Sequence, residues 1–305
     1  MRTSHRRDGF VLLAVLWVLM GAATLGLLLT LTSRDAQGTA ANRIGFARAR
    51  WRAEACVERA RASVEEKVGE EGLSDSVWTK LDRLIVGVPL TSGCRLSVVP
   101  VGVTLDVNAA TEEQLRRVFL TARLSPGAAD SLAAGILDWR DADDDARAAG
   151  AERDWYERAG RIAPRDGDLA SLAEITTVKG AEAVPHIELL LGVEPGRILL
   201  ARAPPAVLAA LAGMSTSVLA VVEQRRAGGD SALDLQRLVA IAPAEARDAL
   251  LASLPALTAL VTGTPDAWVI ASEATEGQPA VTSRLEVRVV RSGRRLAILR
   301  RRSDP

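Results

Sequence analysis

The chain opens with an unbroken apolar run. From Phe10 to Thr32, FVLLAVLWVLMGAATLGLLLTLT, it carries no charge, proline, asparagine or glutamine. As a helix rising about 1.5 Å per residue, the run covers a bilayer core about 30 Å thick. It exceeds the apolar region of a cleaved secretory signal and no Ala-x-Ala-like site follows it, so a retained membrane helix is expected. The helical pattern continues: no proline occurs before Pro89, and Ile44, Ala47, Trp51, Ala55 and Ala62 recur at three-and-four spacing. A helix from about Phe10 to Val68, on the order of 90 Å long, is predicted. One half lies in lipid and the other packs this stripe on a globular body.

Beyond it the period changes to two. CRLSVVP (94–100) and VTLDV (103–107) read as short strands; DAWVIASEA (266–274), VTSRLEVRVVR (281–291) and RRLAILRR (294–301) read as later ones. Ser292-Gly293 between the last two is a hairpin signal. Leu285, Val287 and Val289 alternate with Arg284, Glu286 and Arg288, as in a sheet covered on one face. Between the two sets of strands, residues 108–262 turn to helical periods rich in Ala, Leu, Arg and Glu. NAATEEQLRRVFLTARLSPGAADSLAAGILDWRD reads as helix, Gly turn, helix with Thr111 as N-cap. SLAEITTVKGAEAVPHIELLLG, PPAVLAALAGMSTSVLAVVEQRR and ALDLQRLVAIAPAEARDALLASL repeat the unit more loosely. Strands on both sides of the block can share one sheet. The expected fold is therefore α+β: a long N-terminal helix on a small antiparallel sheet, with a large inserted all-α domain of helix-hairpin-helix-like (SAM-like) units.

Charge narrows the partners. Lys plus Arg and Asp plus Glu number 38 each in 305 residues, with an isoelectric point near 6.8. Such a balance gives no general attraction to nucleic acid. Helix-hairpin-helix units can bind phosphate through hairpin amides, but only Val178-Lys179-Gly180 places a lysine beside the glycine, so packing or docking is the expected role and no nucleic acid is expected. Arginines flank the apolar run on both sides, and the positive-inside rule leaves its orientation open. Two cysteines, Cys56 and Cys94, allow at most one disulfide, given an oxidising compartment. His5 and His186 stand alone, and no nucleophile–base pairing, P-loop or Cys/His cluster is present; no enzymatic activity is expected.

Against this neutral background the segment DWRDADDDARAAGAERDWY (138–156) is dense in acid. Counting from Asp141, carboxylates fall at positions one, three, five and twelve: Asp141, Asp143, Asp145 and Glu152. That is the ligand spacing of an EF-hand loop, although Ala146 replaces the glycine at position six. A calcium cage and a solvated acidic loop are both compatible with the spacing.

Two resemblances extend these readings. The basic leader, Gly9, Phe10 and the apolar helix resemble a type IV prepilin signal. That resemblance implies cleavage by a prepilin peptidase between Gly9 and Phe10, methylation of the new N-terminal Phe10, anchoring in the bacterial inner membrane and a periplasmic body. Ala14 stands where most pilins carry a glutamate that neutralises the amine of the subunit below, which fits a subunit that caps a fibre. DVNAATEEQL, ILDWRDADDD, GAERDWY and SLAEITTVKG, in this order, resemble the K subunit family of the type II secretion pseudopilus over essentially the whole chain. The family implies a pilin-like fold divided as leader 1–9, membrane helix 10–32, helix and first strands 33–107, inserted helical domain 108–262 and completing strands 263–305. It further implies structural calcium on Asp141, Asp143, Asp145 and Glu152, with Asp138 and Asp154 as further ligands; Arg153 stands where the family usually has a second acid. The implied role is a minor pseudopilin at the pseudopilus tip, assembling with other minor pseudopilins to support export of folded proteins. Trp139, Trp155 and Tyr156 are expected to clamp the acidic loop, contact with a secreted substrate being the other reading. The rival functions are a membrane-anchored helix-hairpin-helix DNA receptor for competence and a membrane-anchored calcium-dependent enzyme.

Overall fold

The computed structural model describes residues 8–71, 75–86, 93–231 and 233–304; most of the basic leader, His5 included, lies outside them. Helix α1 (Asp8–Glu71) is continuous and has Gly9 and Phe10 in its first turn. Its N-terminal part is long and apolar enough to cross a membrane, and none of that stretch is buried against the rest of the chain. Further along, the packed stripe is not the expected one. Gly45, Ala49, Ala53, Val57, Ala60 and Val64 are buried, whereas Ile44, Ala47, Trp51, Ala55 and Ala62 face outward. Side-chain size decides between two stripes of equal periodicity. A Cβ on Gly45 would lie 3.5 Å from Val281 Cγ2 and 3.7 Å from the Glu276 carbonyl. At that separation the body accepts glycine and alanine and excludes an indole.

Short helices α2 (Asp75–Thr79) and α3 (Leu81–Val86) lead into β1 (Cys94–Pro100) and the two-residue β2 (Leu105–Asp106). The helical block contains α4 (Glu112–Thr121), α5 (Pro126–Arg140), α6 (Arg153–Arg158) and α7 (Leu172–Ile175), then β3 (Leu191–Gly192) and β4 (Ile198–Leu199). It continues through α8 (Pro205–Ala209), α9 (Thr216–Ala227), α10 (Leu235–Ile241), α11 (Ala244–Ala252), α12 (Leu254–Leu260) and β5 (Val261–Thr262). The chain closes with β6 (Ala267–Glu276), β7 (Val281–Ser292) and β8 (Arg295–Asp304).

The main sheet is antiparallel with order β1-β6-β7-β8. Strands from both sides of the block thus lie side by side, Cys94 opposite Ala274 and Pro100 opposite Trp268. One sheet face and the inner stripe of α1 enclose Trp268, Ile270, Leu285, Val287 and Val289, with Trp78 of α2 against Trp268 at 5.7 Å between ring centroids. The helical block has its own core around Phe119, Leu132, Ile136, Tyr156, Leu208 and Val218. Its neck is narrow: Val101 N donates to the Ala267 carbonyl at 2.9 Å and Leu199 N to the Gly102 carbonyl at 2.9 Å. Gly102 has φ +95, and a Cβ there would stand 1.9 Å from the Arg197 carbonyl. Only glycine fits.

Three local expectations shift. The run 103–107 keeps only Leu105–Asp106 as strand, parallel to β3 inside the helical block instead of joining the main sheet. Asp106 Oδ1 accepts from Asn108 N at 3.0 Å and turns the chain before the strand can extend. The last hairpin turns on Gly293-Arg294, since Ser292 pairs with Arg295. In the first helical unit Thr111 forms a capping box with Gln114, but the turn uses Arg123 at φ +70, and Gly127 lies inside α5.

Cys56 of α1 and Cys94 of β1 form a disulfide with Cα atoms 6.8 Å apart, tying spine to sheet. Replacing both by serine is expected to cost about 2–4 kcal/mol by freeing the unfolded chain. A melt of the variant should match wild-type protein in reductant, both falling below oxidised wild type.

Candidate metal centre in the acidic loop

Helix α5 starts at Ser125, whose hydroxyl accepts from Ala128 N at 3.3 Å, and carries Pro126 in its first turn. It is buried along most of its length, and near its end the burial includes a charge. Asp138 is fully buried. Its carboxylate accepts from Arg147 Nη1 at 2.6 Å and Ala151 N at 2.8 Å, with Arg147 N at 3.3 Å. A buried carboxylate needs such donors to avoid a large desolvation penalty. Asp138 thereby folds the acidic loop back onto α5. Gly150 passes so close that a Cβ there would be 1.9 Å from Asp138 Oδ2. Arg147 also donates to Asp141 Oδ2 at 2.5 Å, and these hydrogen bonds, Asp138 first, raise the Arg147 pKa.

The aromatic residues hold the other side. Trp139 and Tyr156 meet edge to face at 5.2 Å, and Trp155 meets Tyr156 at 5.0 Å. Trp139 and Tyr156 are buried, and Trp155 is half-buried beneath Lys179, whose Nζ is 5.3 Å from the ring centroid. The same Nζ donates to the Gly150 carbonyl at 2.9 Å. The one hairpin lysine is thus engaged with the acidic loop. His186 is exposed, 3.2 Å from Glu188.

Beside the Asp138 anchor, Asp144, Glu152 and Asp166 each bring a carboxylate oxygen within 4.8 Å of the others. Glu152 is the N-cap of α6 and only 4% exposed. Among the described residues neither of its side-chain oxygens has a hydrogen-bond partner, and Asp141 Oδ1 and Asp166 Oδ1 are likewise buried and unpartnered. Burial, followed by the charges of Asp138, Asp141, Asp166 and Asp144, pushes the Glu152 pKa up to about 7. Asp166 reaches the group from a left-handed residue at φ +56.

Of the residues picked out by spacing or by the family resemblance, only Glu152 belongs to this trio. Asp138 is the loop anchor, and Asp141 pairs with Arg147 while turning Oδ1 inward. Asp143 accepts from Asp145 N at 3.0 Å, making a local turn; both are exposed, as is Asp154 in the first turn of α6. Asp144 falls at an even position, and Asp166 lies well past the EF-hand window, so neither is visible to a count from Asp141. The donors are all carboxylate oxygens, which suit a hard divalent cation such as calcium.

Residues 97–189, which include the acidic loop, match the sequence profile of type II secretion system (T2SS) protein K. No curated protein matches the chain by sequence. Among solved structures, the fold resembles a chain in the crystal structure of the GspK-GspI-GspJ complex from the type 2 secretion system of enterotoxigenic Escherichia coli. The TM-score is 0.64 at 16% identity over 90% of this chain and 99% of that one. At that identity the likeness speaks for the fold. The profile match falls on the segment that carries the acidic loop, about a third of the chain.

Proposed function

We propose that this protein is a minor pseudopilin that works at the tip of the type II secretion pseudopilus, assembling with other minor pseudopilins to support export of folded proteins. Its role is structural. In this reading a prepilin peptidase cuts between Gly9 and Phe10, α1 sits in the inner membrane, and the sheet and helical block lie in the periplasm. The observation that carries the reading is the unused stripe of α1. Beyond the apolar span, Ile44 is 53% exposed and Trp51 is 72% exposed on one face of a helix whose other face is already packed. A large aromatic in water on a helix is suited to burial against another subunit's helix. The similar chain comes from a GspK-GspI-GspJ complex of a type 2 secretion system, in keeping with such an assembly. The test is co-purification of the full chain, in detergent, with the other minor pseudopilins of its secretion system. A stable complex is the expected result; a folded chain that recovers none of them would overturn the role.

Calcium would complete the acidic loop. Glu152, Asp166 and Asp144 would hold it. The support is the set of buried oxygens without donors, which a divalent cation would neutralise. The ion would link the start of α6 to the loop at Asp166. In a thermal melt, calcium at about 100 times its Kd should add about 2.7 kcal/mol over chelator. Glu152→Gln should remove most of that gain while leaving the melt in chelator near wild type. An equal loss in both conditions would assign Glu152 to packing alone.

A further inference from the structure

We infer that Arg153 is an internal counter-cation of this carboxylate trio, competing with a divalent ion for Asp144 and Asp166, so that the ion binds only as the Arg153 side chain leaves. The inference rests on the calcium reading of the site and adds a residue that limits its affinity.

Arg153 Nη2 lies 2.6 Å from Asp166 Oδ2, and Nε lies 3.7 Å from Asp144 Oδ1. One guanidinium therefore spans two of the three carboxylates, while the third, Glu152, receives no donor from it. The arrangement offsets one of the two rim charges and leaves the buried carboxylate uncompensated. A guanidinium stays charged at any relevant pH, so repulsion with an incoming cation can be relieved only by moving it. Arg153 can move: its side chain is 43% exposed and it is the first residue of α6, with solvent on one side. Asp144, at 74% exposed, can likewise change rotamer at little cost.

Two consequences follow from the competition. Without metal, Arg153 joins the acidic loop to the Asp166 loop and keeps both folded. With metal, the ion must displace a like charge from two of its ligands, so affinity is lower than the same carboxylates would give alone. The electrostatic penalty is softened by exposure, and a difference of about tenfold in Kd is expected.

The test uses the full-length protein in detergent, with calcium titrated by calorimetry. Arg153→Gln should bind calcium about tenfold more tightly than wild type and melt earlier in chelator. Arg153→Lys keeps the charge and should stay near wild-type affinity. Equal or weaker calcium binding by Arg153→Gln would overturn the inference while leaving the calcium reading in place. Absence of calcium binding in both folded proteins would overturn both. A second measurement needs no variant: phenylglyoxal labelling of Arg153 in wild type, read by peptide mass spectrometry, should accelerate several-fold when calcium is added. Unchanged or slower labelling in a protein that binds calcium would sink the displacement.

Discussion

Trp51→Glu is expected to strip the protein of the pseudopilin partners proposed for it while leaving its own melting temperature unchanged. The second half of the expectation comes from burial: Trp51 is 72% exposed and Ala49 and Ala53 beside it make the contact with the body. Losing the indole therefore opens no cavity. The first half comes from the proposed interface. Ile44 and Trp51 are two helical turns apart on one face, with Ala47 and Ala55 leaving room between and beyond them for a second helix to approach. Central aromatic anchors of interfaces cost about 2–4 kcal/mol on removal, which is roughly 30- to 1,000-fold in Kd. A buried carboxylate facing the partner adds to that loss. Co-purification and a thermal melt on the same preparation check both halves. A large drop in melting temperature with partners retained would mean that Trp51 packs on its own chain.

Gly150→Ala is expected to be the most damaging single-methyl change in the acidic loop. The added carbon would stand 1.9 Å from Asp138 Oδ2 and 2.7 Å from its Cγ. Neither neighbour can yield easily, because Asp138 is fully buried and fixed by Arg147 and Ala151. Breaking that anchor leaves a buried carboxylate without donors, a loss of about 3–5 kcal/mol. Calcium stabilisation should disappear with it, since Glu152 directly follows Ala151. Gly127→Ala is the matched control: nothing lies within 4 Å of its added carbon and it sits in α5. That change should leave the melt unaltered or raise it, alanine favouring helix by up to about 1 kcal/mol. A Gly150→Ala protein as stable as the control would mean that the loop gives way without Asp138.

Legibility followed the range of the interactions. Leu285, Val287 and Val289 announce their buried face because alternation is a local property of a strand, and the observed register keeps it. Thr111 announces a helix start for the same reason. The two stripes of α1 are equally periodic, so choosing between them needed the distance to Val281, more than two hundred residues away in sequence. The acidic loop is harder still. Its concentration of charge is plain in the sequence, yet its geometry is set by one aspartate inside α5, a glycine and an arginine that precede Glu152, and Asp166 beyond α6. EF-hand counting assumes that one loop wraps one ion. Here Asp141 pairs through Oδ2 with Arg147, and the carboxylates gathered around Glu152 are those of Asp144 and Asp166.

The narrow neck has a consequence for biogenesis. The chain is made from its N-terminus, so α1 and β1 exist long before β6, β7 and β8, the three strands that complete the sheet. Until then the small-residue face of α1 has only α2, α3 and β1 to rest on. If residues 101–266 were still unstructured when β6 emerged, β1 and β6 would have to meet across a long floppy segment, slowing the search. The helical block has its own core and holds Gly102 and Leu199 together at its base. Once folded, it presents Val101 beside Ala267, and the sheet closes as though β1 and β6 were consecutive. On this argument the inserted module would act as a folding clamp for the spine, and a fault in its core should first appear as a failure of α1 to gain its sheet.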